Sequence, residues 1–476
     1  MARYDAVVVG GGPNGLAAAV HLARSGASVL VLEREETVGG GSRSAQLTVP
    51  GFVHDVCSAV HPFAAASPFF QELPLHEHGL ELIQPPAPLA HPLDDGSAVI
   101  LRRSVSETAS DLAEDAAAYV RLVTPFVERF DGLAAQVMGP LRPPRHPVLM
   151  ARFGLHGVRS ARALAEGAFG GERARALFAG LAAHSVLALE RPLTAAFGMI
   201  LGAAAHAVGW PVARGGSQRI VDALASLLAT LGGEVQTGVD VRSMDDLPSA
   251  RAYLFDVVPA NLDRIAGDRL PATYRDRLRK FRRGPGVFKL DLALDGPLPW
   301  MAPDCSEAGT VHLGGTLDEV AGSESLVAAG KHPERPFVLL AQQSVVDDSR
   351  APAGKHAVWA YCHVPNGSTV DMTDAIEGQI ERFAPGFRDL VLGRHAMGPA
   401  DLERYNPNYP GGDISGGASG GLQLFARPVA SVVPYAAPAR DIFLCSSSTP
   451  PGAGVHGMCG FHAAEAAMRR LRSTAG

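Results

Sequence analysis

Residues 7–15 read Val-Val-Val-Gly-Gly-Gly-Pro-Asn-Gly, a short apolar run that leads directly into a glycine-rich turn. The apolar run predicts a buried β-strand, and the composition of residues 16–24, ended by Gly26, predicts a helix. A second apolar run, residues 28–32, ends in Glu33. Strand, turn, helix and strand of this length make up the βαβ unit of dinucleotide-binding folds.

The glycines of this turn have separate physical roles. Gly10 permits the tight turn, Gly12 lets the backbone approach a pyrophosphate, and Gly15 lets the helix pack closely on the strand. The phosphates then lie at a helix N-terminus, where free N–H groups stabilise negative charge. Glu33 is placed to accept hydrogen bonds from ribose hydroxyls and would repel a 2′-phosphate. The turn by itself does not distinguish FAD from NAD.

Length and composition set the broad class of the protein. A chain of 476 residues is too long for one hydrophobic core, so we expect two domains. With 47% hydrophobic and 19% charged residues it is typical of a globular protein that can enclose a large apolar pocket. The net charge of −6 argues against nucleic acid as a partner, because nucleic acid requires a basic surface.

Cysteine content and the N-terminus bear on the compartment. The five cysteines are scattered and odd in number, which favours a reducing environment over a disulfide framework. The first strand starts almost at once, leaving no room for a signal peptide, so we expect a cytoplasmic protein. The apolar segment from Thr194 to Trp210 is barely long enough to span a bilayer and predicts a buried helix. Peripheral contact with a membrane is the alternative.

Two further segments carry a resemblance to a known family. Residues 38–44 read Val-Gly-Gly-Gly-Ser-Arg-Ser, and residues 445–458 read Cys-Ser-Ser-Ser-Thr-Pro-Pro-Gly-Ala-Gly-Val-His-Gly-Met. Together with the N-terminal turn they resemble the phytoene desaturase-like branch of the flavin amine oxidase superfamily. The resemblance implies FAD as cofactor. It assigns ribose and pyrophosphate contacts to Gly40 and Arg43, and contacts with the isoalloxazine to Gly452, Gly454, Val455, His456 and Gly457.

The C-terminal turn also has a physical rationale. Residues 455–471 predict a helix whose N-terminus is the turn at residues 452–457. A helix N-terminus directed at the pyrimidine edge of a flavin would stabilise its negatively charged reduced form. Farther back, a strand predicted through Val239 and Val241 resembles the one whose backbone meets the adenine, which implies a backbone contact from Val241.

The sequence therefore predicts an α/β fold with a discontinuous Rossmann-like FAD-binding domain and a mixed α+β substrate domain. We place the FAD-binding domain at residues 1–75, 209–285 and 430–476, and the substrate domain at 76–208 and 286–429. Residues 101–208 are rich in Ala, Leu and Arg and predict helices, whereas residues 287–294 and 337–342 predict strands.

One lysine is the candidate catalytic side chain. The segment Gly-Val-Phe-Lys-Leu-Asp at 286–291 is similar to the strand in amine oxidases whose lysine holds a water near flavin N5. On a strand, Lys289 faces away from its neighbours and could enter an apolar cavity, where its pKa would fall and it could orient water or O2. A solvated surface lysine is the alternative. His54, Cys57 and His61 lack the spacing of a metal site.

The resemblance implies an oxidoreductase that transfers hydride from an apolar small molecule to flavin N5. Desaturation of a carotenoid or another isoprenoid is the first interpretation. An amine oxidase is the second, and a redox-neutral polyene isomerase or a non-catalytic flavoprotein are further alternatives. The sequence contains no second dinucleotide fingerprint and no Cys-x-x-Cys pair. We therefore expect O2 or a quinone as the electron acceptor.

Overall fold

A computed structural model of the chain describes residues 3–473, which form two larger β-sheets covered by helices. The strands are β1 (Tyr4–Val9), β2 (Val29–Leu32), β3 (Ser44–Ala45), β4 (His54–Asp55), β5 (Leu82–Ile83), β6 (Ala87–Pro92), β7 (Ala98–Leu101), β8 (Val212–Ala213), β9 (Glu234–Gln236), β10 (Ala250–Phe255), β11 (Gly286–Leu294), β12 (Ala308–Leu313), β13 (Val338–Ala341), β14 (His356–Val364), β15 (Val391–Met397) and β16 (Ile442–Leu444). The α-helices are α1 (Pro13–Arg24), α2 (Pro62–Ala66), α3 (Pro68–Gln71), α4 (Val105–Ser110), α5 (Ala116–Val127), α6 (Phe130–Val137), α7 (Pro147–Gly157), α8 (Ala161–Ala168), α9 (Glu172–Ala183), α10 (Thr194–Ala207), α11 (Gln218–Thr230), α12 (Pro259–Ala266), α13 (Ala272–Arg279), α14 (Leu317–Ala328), α15 (Thr373–Phe383), α16 (Pro399–Tyr405) and α17 (Met458–Ser473).

The N-terminal apolar run forms the middle of a parallel sheet with strand order β16-β10-β1-β2-β9. Both faces of β1 are buried, which explains why its sequence is continuously apolar instead of alternating. Ala6 and Val8 enter a core shared with α1, α11 and α17, whereas Val7 and Val9 pack on the side of α12. The α/β class and the dinucleotide-binding topology predicted from the sequence are confirmed.

The glycine turn between β1 and α1 works as its spacing predicts. Gly10 has a φ of 104°, in the left-handed region that glycine tolerates. A Cβ on Gly15 would lie 2.0 Å from the carbonyl oxygen of Gly10, so only glycine lets the helix start this close to the strand. Helix α1 begins at Pro13, a residue suited to a first helical position because it has no N–H to satisfy there.

The C-terminal helix crosses α1 at a second glycine contact. A Cβ on Gly460 would lie 1.9 Å from the carbonyl oxygen of Asn14, and a Cβ on Gly457 would lie 2.8 Å from the Cβ of Ala17. The first turns of α1 and α17 therefore touch backbone to backbone. This contact brings the turn at residues 452–457 to the N-terminal glycine turn, although more than 400 residues separate them in sequence.

The second sheet is mixed, with strand order β15-β11-β14-β13-β12-β6-β7, and only β12 and β6 pair in parallel. The strands predicted at residues 287–294 and 337–342 are β11 and β13. One face of the sheet packs on α15, through residues such as Leu290 and Ile376. The other face carries Lys289, Tyr361 and Leu339, which are successive partners across β11, β14 and β13.

The segment between residues 101 and 208 is helical, as predicted, and contains α4 to α10. Its apolar stretch from Thr194 forms α10, an interior helix, and none of the helices within residues 3–473 is long and apolar enough to cross a bilayer. The strand expected through Val239 and Val241 was wrong, because β9 ends at Gln236 and Gly238 turns the chain with a φ of 70°. The proposed domain boundaries stay a prediction.

The crossing of α1 and α17 yields a stability test. Replacing Gly460 by Ala should destabilise the protein by roughly 1–3 kcal/mol, because the new methyl group meets rigid backbone and the helices must separate. The matched control is Gly322→Ala in α14, where a Cβ meets nothing within 4 Å. That exposed helical position should gain roughly 0.5–1 kcal/mol. Urea unfolding of both variants measures the difference, and equal midpoints would contradict the close crossing.

Candidate dinucleotide and substrate site

A cavity of about 430 Å³ lies between the two sheets and reaches both glycine turns. Residues of the dinucleotide-binding sheet line one end, including Gly10, Gly12, Glu33, Gly40, Arg43, Val241 and Asp256. Gly454 and Val455 of the C-terminal turn line the same cavity. The structure therefore brings together most of the residues predicted to bind FAD, in a single space large enough to continue toward the second sheet.

The turn end has the shape that a diphosphate requires. A Cβ on Gly12 would lie 2.8 Å from the Asp256 carboxylate, and one on Gly40 would lie 3.3 Å from the Cα of Gly12. Glycine at these positions leaves the backbone bare beside the N-terminus of α1, where N–H groups favour an anion. Gly15 does not line the cavity; its N–H donates to Asp256 Oδ2 at 2.9 Å.

The acid at the end of β2 is fixed in place from several sides. Glu33 accepts the Gly11 N–H through Oε2 at 2.8 Å and contacts Arg43 Nη2 through Oε1 at 3.1 Å. Arg43 also donates to the Thr37 carbonyl from Nε and Nη2, at 3.1 and 2.8 Å. Both charged side chains are almost fully buried and border the cavity. Their pairing leaves Glu33 oriented and partly neutralised beside the position predicted for a ribose.

Some residues of the C-terminal turn line the cavity, and others only stabilise the turn. His456 is buried, and its Nδ1 accepts the Met458 N–H at 3.0 Å, which caps the start of α17. Burial lowers the pKa of His456 to about 4, so its imidazole is neutral. The His456 carbonyl accepts from Ser67 Oγ at 2.6 Å. Gly452, His456 and Gly457 do not line the cavity, whereas Gly454 and Val455 do.

The predicted catalytic lysine is buried but does not line the cavity. Lys289 is 2% exposed and forms an ion pair with Asp291, which lies on the same face of β11. Its partner across the sheet, Tyr361, does line the cavity, and so does Trp359, whose ring centroid is 6.0 Å from Lys289 Nζ. The surface-lysine alternative is wrong. The prediction that Lys289 enters an otherwise apolar cavity is also wrong, because the Asp291 carboxylate pairs with its charge.

Asp256 is a site residue that sequence reasoning missed. It follows β10 and faces the glycine turn, and it forms no ion pair with a basic side chain among the described residues. Burial raises the pKa of its carboxyl to about 7, and the nearby charge of Glu33 acts in the same direction against the opposing Gly15 hydrogen bond. The only signal in the sequence was an acidic residue directly after an apolar strand, Tyr-Leu-Phe-Asp at 253–256.

The far end of the cavity is apolar and aromatic, and we call it the apolar lobe. Its lining residues are Val186, Phe197, Leu201, Trp210, Leu339, Trp359 and Tyr361, together with His184. The rings of Trp359 and Tyr361 meet edge to face at 5.0 Å between centroids. Val186 has a φ of 55°, a strained conformation for a β-branched residue, and it follows His184 by two positions.

His184 belongs to a buried histidine group that the sequence did not suggest. Its Nε2 lies 3.0 Å from Nε2 of His312, whose Nδ1 has no partner within the described residues. Burial lowers the pKa of His184 to about 3 and that of His312 well below its ordinary value. Both rings are therefore neutral, with one donating to the other. The two histidines are far apart in sequence, and only the sheet and the end of α9 unite them.

Tyr435 lies outside the cavity, whereas Cys57 and His61 line it. Tyr435 is buried, donates from its hydroxyl to the Pro450 carbonyl at 3.0 Å, and does not line the cavity. No group of three or more potential metal ligands occurs within residues 3–473. His61 instead contacts Ser217 Oγ through Nε2 at 2.8 Å. All five cysteines are buried and unpaired.

Comparison with known proteins agrees with this geometry. A model of the NAD(P)-binding Rossmann-like domain matches residues 8–73. The pyridine nucleotide-disulfide oxidoreductase domain-containing protein 2 of Rattus norvegicus is 27% identical over 99% of this chain and 94% of its own. The phytoene dehydrogenase of Streptomyces griseus is 27% identical over 84% of this chain and 78% of its own.

Solved structures share the fold across the whole chain. An oxidoreductase from Methanosarcina mazei has a TM-score of 0.66 at 18% identity, covering 98% of this chain and 99% of its own. Putrescine oxidase bound to putrescine has a TM-score of 0.61 at 17% identity, covering 99% of each chain. The chain thus contains a Rossmann-like dinucleotide-binding domain and shares its fold with solved oxidoreductases such as putrescine oxidase.

The raised pKa of Asp256 predicts a pH-dependent stability. The folded, dinucleotide-free protein holds this proton more tightly than the unfolded chain, where Asp titrates near about 4. Stability is therefore lost as pH rises from about 4 to about 7. Asp256→Asn removes the loss, so the variant should melt roughly 2–4 °C above the wild type at pH 8, and this difference should be clearly smaller at pH 5.

The control for this measurement is Asp389→Asn, at an exposed position away from the cavity. It should follow the wild-type melting temperature at both pH values. Parallel pH profiles for the wild type and Asp256→Asn would show that Asp256 does not titrate in this range.

Proposed function

We propose that this protein is an FAD-dependent oxidoreductase that removes hydride from an uncharged, apolar small molecule. The observation that carries the proposal is a single cavity that joins a diphosphate cradle to an apolar lobe. An enzyme of this type needs both parts in contact, because hydride transfer requires the reacting carbon to lie against the cofactor. Bound FAD would supply the hydride acceptor, and the remaining chemistry falls to the residues of this chain.

Each part of the cavity has a distinct task in the proposal. Gly10, Gly12 and the N-terminus of α1 hold the diphosphate, Glu33 binds a ribose, and Gly454 with Val455 borders the ring. The apolar lobe excludes water and orients the substrate by shape. His184, neutral and at the wall of the lobe, offers one polar contact to a substrate hydroxyl or carbonyl.

The charge distribution favours an uncharged substrate. The carboxylates that line the cavity within the described chain are Glu33, Glu35, Asp240 and Asp256, and all of them belong to the dinucleotide-binding end. The apolar lobe has none, so an ammonium group there would lose its hydration without a counter-ion. Desaturation of an apolar chain, of the kind named in the Streptomyces phytoene dehydrogenase, fits this lining. A carotenoid or another isoprenoid is the first substrate class.

An amine oxidase is the second candidate, favoured by the edge-to-face pair of Trp359 and Tyr361. Aromatic faces attract a substrate amine, and putrescine oxidase shares the fold. A substrate of this class would have to bind as the neutral amine. In either reaction we propose O2 or a quinone as electron acceptor, because the five cysteines offer no redox disulfide beside the cavity.

Anaerobic mixing tests the proposal. The purified protein should show a flavin absorbance band, and a polyene substrate should bleach that band, since its electrons enter the flavin. Bleaching by amines alone would select the second candidate. A product of unchanged mass with no bleaching would indicate isomerisation, and a folded protein that takes up no FAD would refute the whole assignment.

Two variants separate the proposed catalytic role of Lys289 from its structural role. Lys289→Met leaves Asp291 buried without its cation and should cost about 3–5 kcal/mol of stability. The double variant Lys289→Met/Asp291→Leu removes both charges and should recover most of that loss. If Lys289 also holds a water for O2, both variants should reoxidise reduced flavin more slowly than the wild type. Stopped-flow reoxidation that matches the wild type in the double variant would assign Lys289 a structural role alone.

A further inference from the structure

Helix α7 has an apolar outer face that nothing in the described chain covers. Val148 and Leu155, seven residues apart and so on one side of the helix, are 75% and 70% exposed. Leu141 before the helix and Val158 after it are 74% and 57% exposed. We call these four residues the α7 patch. Surface helices normally carry one apolar stripe, directed at the core, and α7 carries two.

The inner stripe of the same helix is used normally. Leu149 is buried, and the ring of Phe153 meets that of Phe126 in α5 edge to face, with centroids 5.8 Å apart. The fold is therefore satisfied without the outer face. Exposed Leu and Val at this density cost hydration free energy unless they meet an apolar partner.

The charged residues of the segment that carries the patch are all basic. Between Asp131 and Glu166 the chain has no acidic residue, although the whole protein has a net charge of −6. Five arginines fall in this interval. Arg142, Arg145, Arg152 and Arg159 form no ion pair within residues 3–473, whereas Arg162 pairs with Glu166, Glu190 and Asp318. Arg145, Arg152 and Arg159 are exposed to solvent.

We propose that the α7 patch and its arginines form a docking surface for an anionic lipid bilayer, with α7 lying in the plane of the interface. Apolar side chains on one face and flanking arginines are the two features that such helices use, one for the acyl boundary and one for the headgroups. With 11 residues, α7 is too short to span a bilayer, so the contact is peripheral.

A second copy of this chain is a poorer occupant. In a two-fold dimer the same face meets itself, so the arginines of one copy would oppose those of the other. Like charges in a desolvated interface repel strongly. The patch therefore requires a partner that is apolar and negatively charged, and an anionic bilayer has both properties over its whole surface.

The position of the patch adds a functional reason. Gly157 of α7 packs against Ala196 of α10, where a Cβ on Gly157 would lie 3.3 Å from Cβ of Ala196. Two further residues of α10, Phe197 and Leu201, line the apolar lobe. Helix α10 thus lies between α7 and the apolar lobe. If the proposed function holds, docking through α7 brings the apolar lobe close to a bilayer that dissolves an apolar substrate.

Vesicle sedimentation of the full-length protein tests the proposal without any substrate. The wild type should sediment with vesicles of phosphatidylcholine containing about a third phosphatidylglycerol, bind phosphatidylcholine vesicles far less, and dissociate at high salt. Val148→Asp/Leu155→Asp and Arg145→Glu/Arg152→Glu should each lower the bound fraction about tenfold or more. Val370→Asp, at a 44% exposed apolar residue outside the patch, is the control and should bind as the wild type.

The melting temperature establishes that each variant is folded, and it keeps this result separate from the fate of the proposed function. Absence of sedimentation with anionic vesicles at low salt would overturn the proposal. Equal binding by Val148→Asp/Leu155→Asp would also overturn it. A concentration-dependent dimer that this double variant dissolves, measured by sedimentation velocity, would assign the patch to a second copy instead.

Discussion

The backbone contact between the first turns of α1 and α17 is the constraint on which the rest of the molecule depends. Gly15 allows α1 to start against the Gly10 carbonyl, and Gly460 allows α17 to cross α1 against the Asn14 carbonyl. Close packing of this kind leaves no room for adjustment, because a single methyl group would have to displace backbone. It fixes the two glycine turns on one cavity, so any ligand that meets the first turn also lies near the second.

Negative charge is handled differently at the two ends of that cavity. At the dinucleotide-binding end, Glu33 is held by a backbone N–H and by Arg43, while Asp256 is neutralised by protonation over much of the acidic range. These arrangements keep acidic side chains next to the N-terminal glycine turn without an excess of charge. The apolar lobe contains the neutral His184 and no carboxylate among its described lining residues. The cavity is thus polar at one end and apolar at the other.

The mixed sheet sets the chemistry of the apolar lobe through register. Tyr361 and Leu339 pair across β14 and β13, and His312 pairs with Leu339 across β12 and β13, so their side chains share one face. The same row places Lys289 beside Tyr361, with its charge taken up by Asp291. The Lys289–Asp291 pair keeps that charge within the sheet, and Lys289 itself does not line the cavity.

What the sequence determined by itself was local. The apolar run before Gly10, the spacing of Gly10, Gly12 and Gly15, and Glu33 after the second strand specify the dinucleotide fold, because strand, turn and helix propensities act over a few residues. The helices between residues 101 and 208 and the strand at Lys289 followed from the same kind of pattern. The strand predicted at Val241 does not form, because Gly238 turns the chain before that residue.

Only the tertiary structure decided the pairing and the environment of the site residues. Whether Lys289 is paired, whether Asp256 faces the glycine turn, and whether His184 meets His312 depend on contacts between segments far apart in sequence, which no local pattern encodes. The same holds for the outer face of α7, because a helix with two apolar stripes gives no sign of which stripe the fold will cover. Burial and register, which set the charge and partner of each group, are properties of the folded chain.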